Sequence, residues 1–128
     1  MKYLLDTHTF LWIITDDQRL SKKAKKLFLD SNNSVYISIA SLWELVIKIS
    51  LGKLRVEGKF EDFIKSHIIG NDITILNITV SHLGLLEKLP FKHRDPFDRL
   101  IICQSMDENI PIITSDKAFK KYKVKCIW

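Results

Sequence analysis

The amino-acid sequence predicts a three-layer α/β/α fold in which helices cover both faces of a central parallel sheet. Short apolar runs with the length of buried strands alternate with longer stretches whose apolar residues recur at helical spacing. Strands separated by helices join through right-handed crossovers, which make the strands parallel and place helices on both faces. The 128 residues, 46% of them hydrophobic, suffice for one domain over residues 1–128 with its own core.

Five short apolar segments are expected to form the strands of this sheet. They cover residues 2–5, 35–38, 73–76, 111–114 and 124–128. Helical patterns are expected over residues 21–30, 39–49, 60–68, 79–88, 96–106 and 117–122. Ser21 is placed to cap the first of these helices, and Gly52 is placed to end the second.

The composition indicates a soluble, cytoplasmic protein without a membrane segment. No stretch approaches the roughly 18 uninterrupted apolar residues that a membrane-spanning helix requires. Asp6 and His8 interrupt the first apolar run, and no cleavage site of small residues follows, so this run is expected to be a strand and not a signal peptide. Cys103 and Cys126 lie far apart, which favours neither a disulfide framework nor a zinc site and suits a reducing compartment.

Four acids are expected near the carboxyl ends of the strands, where open α/β sheets bind their ligands. Asp6 directly follows the first strand, Asp116 follows the fourth, and Glu44 lies about one helical turn beyond the second. Asp98 lies in the first turn of the helix expected to begin at residue 96. Four carboxylates at one edge of a sheet raise each other's pKa and cost stability unless a cation compensates their charge.

Each acid also has a structural explanation as part of a helix cap. Glu44 would complete a capping box with Ser41, and Asp95 before Pro96 is a typical N-cap. The acids that follow the first and fourth strands would each cap the next helix. For any single acid, capping and chemistry are equally well supported, and only the expected convergence of all four favours chemistry.

A site built from carboxylate oxygens favours Mg²⁺, or Mn²⁺ as a substitute, over zinc. Such ions activate water for attack on a phosphodiester and offset charge on the leaving oxygen, so the acids predict hydrolysis of a nucleic acid. Asp95 and Thr114 lie beside the main acids and are candidates for an auxiliary role.

The charge balance favours an anionic partner such as a nucleic acid. Lysine and arginine outnumber aspartate and glutamate by 20 to 15, which gives a net charge of +5 and a pI near 9.2. An anionic substrate reaches an acidic pocket only with the help of surrounding cations. The candidates near the acids in the sequence are Lys48, Arg94, Arg99 and Lys117.

Four sequence blocks, in order, resemble the PIN-domain family and more narrowly its VapC-type toxins from bacterial and archaeal toxin–antitoxin pairs. The blocks are LLDTHTFLW over residues 4–12, SLWELVIK over residues 41–48, HRDPFDRLII over residues 93–102 and TSD over residues 114–116. The resemblance spans nearly the whole chain, and each block supplies one acid. No acidic position of the family pattern is empty, so the sequence gives no reason to expect an inactive protein.

This resemblance implies a Mg²⁺-dependent endoribonuclease that cuts structured cellular RNA such as tRNA or rRNA. It also implies a homodimer that is held inactive by a cognate antitoxin protein. By the same resemblance, Asp6, Glu44, Asp98 and Asp116 match the metal-binding carboxylates of the family, and Asp95 is an additional acid beside the third.

Two other functions remain open at the level of the sequence. The first is a non-catalytic module of the same fold that binds RNA or a protein through its basic surface. The second is a phosphatase-like domain that uses Asp6 as a nucleophile. The segment Asp6-Thr7-His8 lacks the second aspartate, two positions on, that many such phosphatases use.

Overall fold

A parallel sheet of five strands lies at the centre of the computed structural model, which describes residues 1–128. The strands are β1 (Lys2–Leu5), β2 (Ser34–Ser38), β3 (Ile73–Leu76), β4 (Ile112–Ile113) and β5 (Cys126–Ile127). Their order across the sheet is β3-β2-β1-β4-β5, and every neighbouring pair is parallel. The α/β fold predicted from the sequence is therefore confirmed.

Six α-helices connect and cover the strands. They are α1 (Thr7–Ile14), α2 (Lys22–Leu29), α3 (Ile39–Ser50), α4 (Phe60–His67), α5 (Val80–Lys88) and α6 (Pro96–Glu108). Two short 3₁₀ turns cover Ile69–Asn71 and Lys117–Lys121. None of the helices combines the length and the apolar character needed to cross a bilayer.

The alternation of side chains along the strands divides the interior into two cores. Tyr3 and Leu5 point to one face of the sheet and Leu4 points to the other, because successive strand residues face opposite ways. The first core packs side chains of α1 to α4 against the sheet, and the second packs side chains of α5, α6 and the final 3₁₀ turn. Burial on both faces explains why the strands read as continuous apolar runs.

The helix starts follow the capping residues in the sequence. The Ser21 hydroxyl accepts a hydrogen bond from the backbone N–H of Ala24, as the sequence predicts. Asp95 accepts hydrogen bonds from the N–H groups of Phe97 and Asp98, and Pro96 occupies the first turn of α6. Gly52 follows α3 with a φ of 71°, in the region that favours glycine.

The last two strands are shorter than predicted, with two residues each instead of four and five. Pro111 has no N–H to donate, so the ladder on this side begins one residue later, at Ile112. Lys123 and Lys125 are exposed and contribute nothing to the core on which an edge strand depends.

A buried hydrogen-bond network joins α6 to the loop before it and to the end of the last 3₁₀ turn. The Tyr122 hydroxyl donates to the carbonyl oxygen of Pro90 at 2.8 Å and accepts from the N–H of Lys92 at 3.0 Å. The Arg99 guanidinium donates to Tyr122 Oη at 3.2 Å and to the carbonyl oxygens of Leu89 and Pro90. The network therefore fixes the loop that leads into α6.

Replacing Tyr122 with phenylalanine should lower the free energy of unfolding by about 1–3 kcal/mol, because it leaves the Lys92 N–H without a partner and removes one hydrogen bond each from Arg99 Nη1 and the Pro90 carbonyl oxygen. Tyr36→Phe is the matched control, since the Tyr36 ring is half-buried and its hydroxyl makes no hydrogen bond within the protein. Urea unfolding of the two variants measures the difference. Equal stability of Tyr122→Phe and Tyr36→Phe would contradict the structural importance of the network.

Candidate metal centre

Asp6 lies at the carboxyl end of β1 and is almost fully buried. It occupies the N-cap position of α1, but its side chain makes no capping hydrogen bond. The Thr114 hydroxyl instead donates to Asp6 Oδ2 at 2.8 Å across the sheet. Burial raises the pKa of Asp6, and the charge of Asp116 acts in the same direction, whereas the Thr114 hydrogen bond opposes the increase. Capping therefore does not explain the first acid.

Asp98 lies in the first turn of α6, where its carboxylate meets a histidine from the preceding loop. His93 Nε2 lies 2.8 Å from Asp98 Oδ2. Burial raises the pKa of Asp98 to about 7, the His93 hydrogen bond opposes this shift, and the negative charges of Asp6 and Asp95 add to it. Because the charge of Asp6 contributes to this pKa, the two carboxylates lie close enough at the edge of the sheet to interact electrostatically.

Asp116 follows β4 and completes the group at the sheet edge. Its backbone N–H donates to Thr114 Oγ1 at 3.0 Å, and its Oδ1 accepts from the N–H of Ala118 and caps the last 3₁₀ turn. One ligand atom from each of His93, Asp98 and Asp116 lies within 4.8 Å of the others, a spacing that a single metal ion can bridge. A capping role and a place in the cluster are therefore compatible for Asp116.

Glu44 lies inside α3 and is held apart from the tight group. The predicted capping box with Ser41 is wrong, because the helix begins earlier and its N-cap is Ser38. Ser41 Oγ instead accepts a hydrogen bond from Thr7 Oγ1 at 2.8 Å, which ties α3 to the first turn of α1. Glu44 Oε2 pairs with Lys48 Nζ at 3.0 Å, whereas the buried Oε1 has no hydrogen-bond partner.

The donor set fits a divalent cation. Asp98 and Asp116 offer hard oxygen atoms within 4.8 Å of each other, and Asp6 lies outside that set but close enough to raise the pKa of Asp98. His93 Nε2 is already engaged with Asp98 Oδ2. A buried carboxylate oxygen without a partner is costly, so the free Oε1 of Glu44 is also consistent with a cation that the protein itself does not supply.

His93 is a member of this group that the sequence did not predict, and Arg99 lies in the interior instead of facing the site. His93 lies five residues before Asp98, and only the turn made by Asp95 and Pro96 brings the two side chains together. No spacing rule for metal ligands predicts that contact. The expectation that Arg99 meets an anionic substrate is wrong, because its guanidinium is buried and donates to carbonyl oxygens of the preceding loop.

The other predicted auxiliary residues lie beside the site, and the predicted cations differ in their surroundings. Thr114 contacts Asp6 directly, whereas Asp95 caps α6 and acts on Asp98 through its charge. Lys48 pairs with Glu44, while Arg94 and Lys117 are exposed close in sequence to His93 and to Asp116.

A second cluster of His82, Asp107 and Glu108 lies between α5 and α6 and has a structural explanation. His82 Nδ1 accepts a hydrogen bond from the N–H of Thr79, so in the neutral ring the proton is on Nε2. Nε2 lies 3.0 Å from Glu108 Oε1 and donates to it. The ring caps α5 and joins it to α6, which leaves no lone pair for a metal ion.

The fold and the acidic edge define an α/β protein with a carboxylate cluster at the carboxyl ends of a parallel sheet. The family model described as the PIN domain matches residues 3–125, so the chain belongs to the PIN-domain family. The resemblance noted in the sequence is thereby confirmed for the family as a whole. No sequence among curated proteins matches the chain.

Several solved structures share this fold over nearly their whole length. A chain of VapBC2 from Rickettsia felis, bound to a DNA fragment from its promoter, has a TM-score of 0.73 and 20% identity, with 99% of this chain and 98% of that chain covered. FitAcB from Neisseria gonorrhoeae gives a TM-score of 0.68 at 17% identity, covering 98% and 96%. VapBC-1 from nontypeable Haemophilus influenzae gives 0.63 at 19%, covering 99% and 97%.

Replacing Asp98 with asparagine should stabilise the metal-free protein, and the gain should grow as the pH rises from 5 to 8. Burial raises the pKa of Asp98 from the ordinary 3.8 of an aspartate to about 7 in the folded protein, so the carboxylate costs stability as the pH rises through this range. The expected gain above pH 7 is on the order of 1–3 kcal/mol. Thermal unfolding in EDTA at several pH values measures it.

Asp17→Asn is a control of opposite sign. Hydrogen bonds from Arg19 lower the pKa of Asp17 to about 2, so its carboxylate contributes stability throughout this pH range and loses it only as the pH falls towards 2. Asp17→Asn should lower the melting temperature at every pH tested. If Asp98→Asn gained nothing between pH 5 and 8, the cost of burying the Asp98 carboxylate beside other acids would be contradicted.

Proposed function

We propose that the protein is a Mg²⁺-dependent endoribonuclease that hydrolyses RNA phosphodiester bonds at the acidic edge of the sheet. One observation carries this proposal: Asp98 and Asp116 meet within coordinating reach of each other, beside a buried Asp6 whose pKa responds to Asp116. Such a cluster costs stability unless a divalent cation compensates it. PIN domains of VapC-type systems are generally nucleases, which agrees with this chemistry.

Asp6, Asp98 and Asp116 would hold the ion, and Glu44 would face it with its free Oε1. A divalent ion, Mg²⁺ or Mn²⁺ in its place, supplies activation of water and compensation of charge on the leaving oxygen. Thr114 orients Asp6 by donating a hydrogen bond, and Lys48 occupies the other oxygen of Glu44. His93 fixes Asp98 through its hydrogen bond, which limits the rotation of that carboxylate.

The toxin half of a toxin–antitoxin pair is the physiological setting that the relatives support. One solved structure with a similar fold is a toxin–antitoxin complex from Klebsiella pneumoniae, and VapBC2 from Rickettsia felis and FitAcB from Neisseria gonorrhoeae share the fold. For this chain we infer a cognate antitoxin protein as partner, a homodimer as the assembly, and the cytoplasm as the location. A small open reading frame next to the gene would be consistent with this setting.

Cleavage of RNA should require Mg²⁺ and Asp6. With a fluorescent RNA substrate, EDTA should abolish cleavage, and Asp6→Asn should reduce kcat by about 100-fold or more, since the substitution removes a charged oxygen ligand. Asp62→Asn, which changes an exposed acid on α4, is the control and should retain full activity. Cleavage that persists in EDTA or in Asp6→Asn would reject the metal mechanism, and a phosphorylated Asp6 would indicate a phosphatase instead.

Thr114→Val should weaken Mn²⁺ binding about 10- to 100-fold while preserving the shape of the side chain. The substitution removes the hydrogen bond to Asp6 Oδ2, so the carboxylate loses its fixed orientation. Thr74→Val, at an exposed position on β3, is the control. Titration calorimetry with Mn²⁺ gives the affinities, and unchanged binding by Thr114→Val would show that Asp6 does not depend on this contact.

A further inference from the structure

We propose that the basic flank, defined below, binds the phosphate backbone of RNA on one side of the proposed cleavage site. This inference rests on the proposed function and adds to it the path that the substrate takes. The basic flank comprises Lys92, Arg94, Lys117, Lys120 and Lys121. All five side chains are exposed, and none of them forms an ion pair with an acid.

The positive charge of the chain is concentrated in the two segments that carry the flank. Residues 88–94 and 117–125 contain eight of the 20 lysines and arginines and no acid at all. Without these two segments the net charge of +5 would become negative. A surface that carries only positive charge attracts a polyanion. An ordinary solvated surface, by contrast, mixes charges of both signs.

Buried hydrogen bonds hold the two segments together as one surface. Tyr122, which ends the second segment's 3₁₀ turn, bonds to the backbone of Pro90 and Lys92 in the first. Arg99 lies beneath both and has no carboxylate partner, so its charge adds to the potential of the flank. The backbone of the flank is therefore held in place before RNA binds, so binding does not require a loop to become ordered.

The inner end of the flank adjoins the candidate metal centre. His93, which contacts Asp98, lies between Lys92 and Arg94 in the chain, and Lys117 directly follows Asp116. An RNA strand whose scissile phosphate lies at the acids therefore has neighbouring phosphates within reach of these cations. Repulsion of the substrate by the carboxylates is offset at the point where it is strongest.

Helix α2 provides a matched surface on the other face of the sheet. It also presents lysines to solvent, at positions 22, 23, 25 and 26, but it packs against the first core, whereas the flank is anchored in the second through Phe119 and Tyr122. Lys25 pairs with Asp16. The remaining three lysines match three flank residues in number and exposure.

The test compares two triple variants of the full chain. The flank variant carries Lys92→Gln, Lys120→Gln and Lys121→Gln, and the control carries Lys22→Gln, Lys23→Gln and Lys26→Gln. Binding of a fluorescein-labelled, mixed-sequence RNA oligonucleotide is measured by anisotropy over a range of salt, with Asp6→Asn added to both to prevent cleavage. The flank variant should bind at least about 10-fold more weakly, and its salt slope should fall by about 2, since each single-strand phosphate contact contributes about 0.7.

The control triple should bind as Asp6→Asn alone does. When the native Asp6 is retained, the three flank substitutions should raise KM for RNA cleavage and leave kcat unchanged. Equal binding by the two triples overturns the flank even if the protein cleaves RNA, whereas a protein that binds through the flank but never cleaves RNA contradicts only the proposed function. If polyglutamate displaces the labelled RNA as effectively as unlabelled RNA does, the flank binds an acidic protein and the proposal is wrong.

Discussion

Carboxylates brought close together at one edge of the sheet are the constraint on which the site depends, and two of them, Asp6 and Glu44, are buried. A parallel sheet sends the carboxyl ends of its strands to one edge, so an acid after β1 and an acid after β4 lie next to each other whatever their separation in sequence. Burial adds to the cost, as the raised pKa values of Asp6 and Asp98 indicate. The protein offsets part of it with the Thr114 hydroxyl and with His93, and the divalent cation that we propose would offset the rest.

The same edge has a second electrostatic feature. Lysine and arginine side chains lie close to the acids in the sequence, and most of these side chains pair with no acid. Lys48 neutralises one oxygen of Glu44, but Arg94 and Lys117 stay free. Arg99 is buried and is satisfied by carbonyl oxygens and by Tyr122 Oη, so it stabilises the loop that carries His93. The loop that carries His93 and the exposed Lys92 and Arg94 thus has one support, which links its stability to the positions of these residues.

Much of the fold could be predicted from local patterns, and the errors occur where distant residues intervene. β3 has the predicted bounds because its apolar run has clear polar neighbours, and α6 begins where Asp95 and Pro96 predict. The capping box at Ser41 was wrong, because Ser38 caps the helix one turn earlier and Ser41 bonds to Thr7. The strands β4 and β5 were overestimated, because Pro111 cannot donate to the ladder and the side chains of Lys123 and Lys125 stay outside the core.

The sequence by itself determined the alternation of strands and helices and the PIN-domain family, and it predicted the four acids as site residues, because apolar periodicity and motif order are local properties of the chain. Only the tertiary structure decided which groups meet: it brought His93 to Asp98 and buried Arg99. It also left both Asp6 and Glu44 outside the group whose ligand atoms lie within 4.8 Å of one another. Contacts of this kind depend on how loops return to the sheet, and residue spacing carries no information about that path.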